Sequence, residues 1–227
     1  MTTTSTATSE ITLPLGTSPH GTPVSWHLTD QTGRPQHGLI VGPMGSGGST
    51  ALAALCSAAR HSTAEVTPTV VDLDHGPGHY DPVWEHTLPR ALCTTAGDLL
   101  TGLPQAVATT PPAGVGPALL LVDGDRALRT APDAWQRLIR AADAVNVCVI
   151  ARVYSLCAED LGGTALRQAL LGQGQYLALG RPAGAGVLAE TVLPGYTAPT
   201  TRQNPGTGVY GHHGQTVPVH VTTPDHT

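Results

Sequence analysis

Two residue types are missing from this 227-residue chain: it contains no phenylalanine, and all of its 11 cationic side chains are arginine. The absence of lysine excludes any chemistry that needs a lysine supplied by the chain itself. Charge of either sign is also scarce, at 12% of residues, and the formal net charge is -5. Because binding nucleic acid over a wide surface requires clustered cations, this balance leaves room only for a local arginine face.

Cysteine is rare as well, and its placement excludes some structural chemistry. The chain has no C-x-x-C pair, and its thiols fall mostly in apolar segments: Cys56, Cys93, Cys148 and Cys157. This pattern predicts buried, reduced thiols rather than disulfides or a zinc site, and therefore a cytoplasmic protein. No segment approaches the roughly 20 apolar residues that span a bilayer, so we expect no direct membrane insertion.

What the chain does have in quantity is glycine and proline, with 27 and 20 residues, beside 40% hydrophobic residues. This composition is typical of a loop-rich globular protein rather than of a helical bundle. We predict a disordered tail at 1–10, a single domain over 11–221 and a short tail at 222–227.

Strand patterns alternate with helix patterns along the domain. In chain order we predict a hairpin within 11–28, a strand at 37–42, a helix over 49–60, a strand at 67–74, a helix over 94–107, a strand at 118–123, a helix over 132–142, a strand at 145–153, a helix over 161–171, a strand at 175–180, loops from 181 and a hairpin within 207–221. Such alternation indicates an α/β fold with a mainly parallel sheet flanked by helices and with terminal hairpins.

A glycine-rich segment follows the strand at 37–42 and reads GPMGSGGST. It has the spacing of a G-x-x-x-x-G-K-S/T phosphate-binding loop, in which backbone N–H groups and a helix N-terminus hold phosphates. The predicted nucleotide-binding residues are therefore Gly42, Gly45, Ser46, Gly47, Gly48, Ser49 and Thr50. Ser49 is also the predicted magnesium ligand, but glycine stands at position 48, where the motif has its lysine.

A second motif lies at the end of the strand ALLLVD. Asp123 occupies the position at which nucleotide motors support magnesium, and we predict it as a metal ligand and catalytic residue. The next residue is Gly124, where a glutamate would polarise the attacking water, and Asp125 follows as a further catalytic candidate. Two chemical positions of a nucleotide-hydrolysing site are therefore altered together.

The missing lysine charge has a large expected cost. At about 4 Å and an effective dielectric near 20, one charge pair contributes roughly 4 kcal/mol. Losing it weakens a micromolar affinity to about millimolar. Only an arginine could replace this charge within the chain, and the candidates are Arg126, Arg152 and Arg202.

Together with the late segment GTGVYGHHGQTVPVHV, these motifs resemble the motor domain of the FtsK/SpoIIIE family over most of residues 11–221. The resemblance implies a RecA-like P-loop domain with ATP and Mg²⁺ as ligands. It also implies assembly into rings that move double-stranded DNA, while relatives drive type VII secretion. Gly42 to Thr50 match the Walker A loop except at Gly48, and Asp123 matches the Walker B aspartate. Ala151 and Arg152 stand where the family commonly has a Thr-Gln pair.

Three other groups of residues have plainer interpretations. One group consists of potential metal ligands at the end of the strand at 67–74 and just after it: Asp72, Asp74, His75, His79 and Asp81. Their spacing in the sequence matches no known pattern of zinc ligands. His212 and His213 stand between glycines and are predicted to be exposed turn residues. Arg137 and Arg140 are spaced as a solvated helix flank, with a subunit contact in a ring as the alternative. No Ser-His-Asp pattern with a G-x-S-x-G turn is present.

Three functional hypotheses follow. The first is a degenerate P-loop protein with weak or no hydrolysis that co-assembles with an intact motor in a DNA-transfer or secretion machine. The second is an active translocase of double-stranded DNA in which arginine replaces the lysine. The third is a homo-oligomeric scaffold that does not depend on nucleotide.

Overall fold

The computed structural model describes residues 10–72, 93–94, 116–180, 187–201 and 203–223. Its strands are β1 (Thr12–Thr17), β2 (Pro23–His27), β3 (Gly38–Val41), β4 (Thr67–Asp72), β5 (Cys93–Thr94), β6 (Ala118–Asp123), β7 (Val147–Val153), β8 (Tyr176–Leu179), β9 (Thr207–His212) and β10 (Gln215–Val221). Its helices are α1 (Gly48–Arg60), α2 (Asp125–Thr130), α3 (Pro132–Val145), α4 (Thr164–Leu171) and α5 (Val187–Val192).

All ten strands join one sheet in the order β2-β1-β10-β9-β8-β3-β7-β6-β4-β5. The run from β8 to β5 is parallel throughout, and the remaining four strands extend the sheet in antiparallel fashion. The prediction of a parallel sheet with terminal hairpins is therefore confirmed. However, the two hairpins lie side by side as one antiparallel extension.

The sheet is covered on both faces. Along β6, Leu119 and Leu121 pack with α1 on one face, while Leu120 and Val122 pack with the other helices on the opposite face. This alternation follows from the two-residue period of a strand. Because 119, 121 and 123 share a face, the strand directs Asp123 toward α1.

The antiparallel extension curls back toward the parallel strands. Beyond β2, the Gln36 amide donates to the Leu28 carbonyl at 2.8 Å, and Thr29 forms an isolated bridge with Pro35. The Gln175 side chain also bonds both the N–H and the carbonyl of His27, at 3.0 and 2.9 Å. The edge strand β2 is therefore held against the segments that precede β3 and β8.

Three helix predictions need correction. The helix α2 and the helix α5 were not predicted, because the first is six residues long and the second lies in a segment rich in proline and glycine. The helix α4 begins at Thr164 rather than at 161, since Gly162 and Gly163 have φ values of 77° and 120° that a helix does not contain.

Several predictions fall largely outside the described residues. These are the helix over 94–107, most of the terminal tails, and the acidic and histidine loop after Asp72, including Asp74, His75, His79 and Asp81. Cys56 and Cys148 are buried as predicted, whereas Cys157 is half-buried. Within the described parts of the chain, no helix has the length and hydrophobicity needed to cross a membrane.

Candidate nucleotide site

The sequence-predicted site residues converge at the carboxyl end of the parallel strands. The glycine-rich loop leaves β3 and leads into α1, and Asp123 ends β6. Strand β7 lies between these two strands and places Arg152 directly beside Asp123 in the register. Strand ends of this kind are where open α/β sheets bind ligands.

The loop has the backbone conformation of a tight turn. Gly45 and Gly47 have φ values of 78° and 95°, which side-chain-bearing residues rarely adopt. The Gly42 N–H donates to the Val153 carbonyl at 3.1 Å, and the Ser46 N–H donates to Pro43 at 3.0 Å. Ser49 and Thr50 follow in the first turn of α1, half-buried. The loop is thus fastened to the sheet at its start.

A second contact fastens the loop at its far side. The Gly206 N–H donates to the Ser46 carbonyl at 2.8 Å, and a Cβ placed on Gly47 would lie 2.8 Å from the Gly206 nitrogen. The Ser46 hydroxyl is buried, makes no hydrogen bond within the described residues and lies 2.5 Å from the ideal Cβ position of Gly42. The hydroxyl thus turns toward the inside of the loop.

Arg152 occupies the space where the lysine of the motif would begin. A Cβ placed on Gly48 would lie 2.9 Å from Arg152 Nε and 3.0 Å from its Cγ. The guanidinium approaches the Asp123 carboxylate at 3.2 Å and stacks over the Tyr154 ring, 3.8 Å from its centroid. Arg152 and Asp123 are only 8% and 4% exposed, so this ion pair is internal.

The two residues after Asp123 are fixed by the backbone conformation of Gly124 and by a hydrogen bond to Asp125. Gly124 has φ 99° and ψ 149°, a region that only glycine populates readily, so a glutamate there would be strained. Asp125 accepts a hydrogen bond from the Tyr154 N–H at 2.8 Å. Burial raises the pKa of Asp125 above its ordinary value, and the hydrogen bond from the Tyr154 N–H offsets only part of this rise. Asp125 therefore joins the segments after β6 and β7.

The three arginines proposed as lysine substitutes have different positions. Arg126 is exposed on α2, and Arg202 lies outside the described residues. Arg152 is therefore the described candidate that reaches the loop. Sequence reasoning named Arg152 but missed its partners, Asp123 and Tyr154. The sequence does contain a signal for this pairing, because neighbouring parallel strands bring the residues near their carboxyl ends side by side, as Asp123 and Arg152 are.

An open cleft of about 500 Å³ adjoins the loop. Its walls come from 43–46 of the loop, from Gly180 and from the segment that precedes β9, including the exposed Met44 and the polar residues Thr200, Thr201, Gln203 and Asn204. The described lining residues carry no charge, while Arg202, which stands between Thr201 and Gln203 in the chain, lies outside the described residues.

No protein-family model and no curated protein sequence matches the chain. Solved structures do match. The cytoplasmic domain of the Thermomonospora curvata type VII secretion ATPase EccC superimposes with a TM-score of 0.69 and 15% identity over 96% of this chain and 27% of that one. The ATPases 2 and 3 of EssC from Geobacillus thermodenitrificans give 0.65 and 17% over 95% and 42%.

VirB4 of Thermoanaerobacter pseudethanolicus gives a TM-score of 0.58 and 10% identity over 96% of this chain and 98% of that one. By contrast, the chain spans less than half the length of the EccC and EssC chains. At these identities the likeness concerns the fold. The chain has a curled α/β sheet flanked by helices, a fold similar to that of the ATPase domains in these secretion proteins.

Proposed function

We propose that this chain is a degenerate, RecA-like P-loop subunit of a secretion or DNA-transfer machine, with little or no nucleotide hydrolysis of its own. The observation that carries the proposal is the internal ion pair between Arg152 and Asp123 beside Gly48. One arginine takes the space of the missing lysine and also pairs with the carboxylate that would hold magnesium.

This pairing changes the energetics of nucleotide binding. A magnesium ion at Asp123 would have to displace Arg152 and leave a guanidinium without its partner in a site that is almost fully buried. Breaking a buried ion pair from one side costs about 3–5 kcal/mol. A penalty of that size weakens binding by a factor of roughly 100 to 4,000. The altered site therefore favours its own internal pair over the magnesium complex.

The lack of a group that polarises water also supports little or no hydrolysis. Gly124 replaces the family's glutamate in a backbone conformation unsuited to one, and Asp125 is engaged by the Tyr154 N–H. A weakly bound nucleotide would thus meet no carboxylate placed to activate water. The resemblance to secretion ATPases in fold supports a role beside an intact motor, with which this chain would co-assemble on the cytoplasmic side.

Calorimetric titration with Mg²⁺–ATP tests the proposal on four proteins: the wild type, Gly48→Lys, Arg152→Gln and the double variant. We expect the wild type to bind at millimolar strength or not at all. Gly48→Lys alone should change little, because its Cβ meets the Arg152 side chain. The double variant restores both family residues and should bind about 100-fold more tightly. Arg137→Gln, an exposed arginine on α3, serves as the control and should match the wild type.

Micromolar binding by the wild type, or DNA-stimulated hydrolysis, would refute this function. That outcome would favour the second candidate, an active translocase of double-stranded DNA in which Arg152 replaces the lysine. One observation supports this candidate: Arg152 Nε is buried at the loop and makes no hydrogen bond within the described residues. Arg152→Gln distinguishes the two hypotheses, since it abolishes binding if the arginine substitutes for lysine.

The third hypothesis, a nucleotide-independent scaffold, concerns assembly rather than the site. Light scattering of the same four proteins with and without Mg²⁺–ATP separates it from co-assembly. Rings formed by the wild type alone, unchanged by nucleotide, would favour the scaffold. A monomer that enters rings only with an intact motor subunit would favour the proposed function.

A further inference from the structure

Three histidine side chains meet at the end of the sheet opposite the glycine-rich loop. The rings of His27 and His212 are stacked with centroids 4.0 Å apart and planes 11° from parallel. His213 lies against His212 with its centroid also 4.0 Å away. The prediction that His212 is an exposed turn residue was wrong, because it ends β9 and is half-buried, whereas His213 is exposed as predicted.

This stack spans the curl of the antiparallel extension. His27 ends the edge strand β2, and His212 ends β9, two strands that are separated in the sheet by β1 and β10. The contact between the two rings therefore joins strands that share no backbone hydrogen bonds. Gln175 reinforces the junction, because its side chain bonds the backbone of His27 and accepts the Tyr210 hydroxyl at 2.9 Å.

A metal ion does not explain the arrangement. Nearly parallel rings place their nitrogen lone pairs in parallel planes, whereas metal ligands must converge on one point. Among the described residues, no group of three or more histidine, cysteine, aspartate or glutamate side chains is placed to hold a metal ion. The stack is therefore a packing contact between rings rather than a set of metal ligands.

Protonation changes that contact directly. A charge on the half-buried His212 would lie directly against two further imidazole rings, those of His27 and His213. The ring atom Nε2 of His212 is buried and has no hydrogen-bond partner within the described residues. No acceptor in this part of the structure is thus ready to receive the added N–H.

We propose that the stack of His27, His212 and His213 is a proton-operated latch, which holds β2 against the β9–β10 turn while His212 is neutral and releases it when His212 is protonated. The proposal does not depend on the function of the nucleotide site. It assigns to this end of the sheet a sensitivity to mildly acidic pH.

The other groups around the stack set the direction of the effect. Glu10 lies against His27 and, within the part of the chain that the structure describes, is the acid in hydrogen-bond contact with the rings. Asp30 and Arg34 line the cleft beside His213, and these two carry opposite charges. Burial raises the pKa of Tyr210, whose hydroxyl stays protonated, and Gln175 carries no charge. In this part of the structure the acid therefore contacts His27, and it does not contact the ring of His212 on which a proton would be added.

The coupling between protonation of His212 and opening of the stack predicts the same direction of the pH effect. Burial, followed by His27 and His213, lowers the pKa of His212 from 6.5 to about 4. In an opened state the ring regains its ordinary value, so between these two pH values the opened state holds more protons. The closed latch is thus fully favoured above pH 6.5 and loses its advantage as the pH falls from 6.5 to about 4.

Hydrogen exchange on the full chain tests the latch. Protection of amides in β2 and in the β9–β10 turn is measured at pH 7.5 and pH 5, corrected for intrinsic exchange, with amides of α3 as internal reference. We expect the wild type to lose on the order of tenfold in protection in these strands relative to α3, since each pKa unit corresponds to a tenfold factor. His212→Phe keeps a ring that takes no proton and should keep its protection at both pH values.

His20→Gln is the matched control, because His20 is exposed and lies outside the stack. It should respond to pH as the wild type does. His212→Gln provides a second variant in case the phenylalanine disturbs packing, and it should also lose the pH response. The wild type alone can overturn the proposal: the latch is refuted if its strands keep their protection at pH 5, or if the His212 ring titrates together with His20 by NMR.

Discussion

The two ends of the parallel strands are closed by different kinds of contact. At the carboxyl end, Arg152 pairs with the buried Asp123, so the contact joins two opposite charges. At the amino end, the contact is a stack of imidazole rings, in which burial lowers the pKa of His212 to about 4. One sheet is thus closed by an ion pair at one end and by ring packing at the other, and only the ring packing is proposed to open in acid.

The largest effect on stability should come from breaking the ion pair between Arg152 and Asp123. Asp123→Asn removes the charge that balances the buried Arg152 and should lower the free energy of unfolding by about 3–5 kcal/mol. Urea unfolding measures this loss. Adding Arg152→Gln should recover most of it, because no unpaired charge is then buried. Asp133→Asn, on the exposed side of α3, should have almost no effect. Equal losses in the single and double variants would show that the pair is not coupled.

An intermediate effect should come from the other end of the sheet. Gln175 is fully buried, and Gln175→Ala leaves the Tyr210 hydroxyl and the His27 backbone without these partners. Each buried polar group left unpaired costs about 1–3 kcal/mol, so we expect a total of roughly 2–4 kcal/mol in urea unfolding. Gln168→Ala on the exposed face of α4 is the control. A loss below that of the control would mean that the curl is held elsewhere.

The smallest of the three effects concerns the backbone after Asp123. Gly124→Ala forces a side chain into a conformation that glycine alone adopts readily, which should cost about 1–3 kcal/mol. Thermal unfolding measures the cost, and Gly124→Glu should show at least the same loss without gaining hydrolysis. Should Gly124→Glu be as stable as the wild type and hydrolyse ATP, the conformation at 124 would not limit the site.

Most of the parallel core could be predicted from the sequence, because β3, β6 and β7 are short apolar runs bounded by turn residues and α1 follows a glycine-rich loop. The short helix α2 and the helix α5 could not, since six residues give too little periodicity to distinguish a helix from a turn. The start of α4 was misplaced because Gly162 and Gly163 act through φ values that composition does not reveal.

The candidate site was only half predictable. The glycine-rich motif alone identified the loop at 42–50 and the absence of its lysine, because both depend only on residues that are adjacent in the sequence. The pairing of Arg152 with Asp123 depends on which strands are neighbours, and that is set by tertiary topology rather than by spacing in the chain. The histidine stack was missed for the same reason, because His27 and His212 are 185 positions apart and meet only once the sheet curls.

Strand β9 runs between the glycine-rich loop and the histidine stack. Gly206, just before its first residue, is bonded to the glycine-rich loop, and its last residue is His212. An extended strand of six residues is about 20 Å long. Because the Gly206 N–H is bonded to the Ser46 carbonyl, a displacement of the terminal hairpin along β9 would also shift the loop, so β9 couples the positions of the two ends of the sheet.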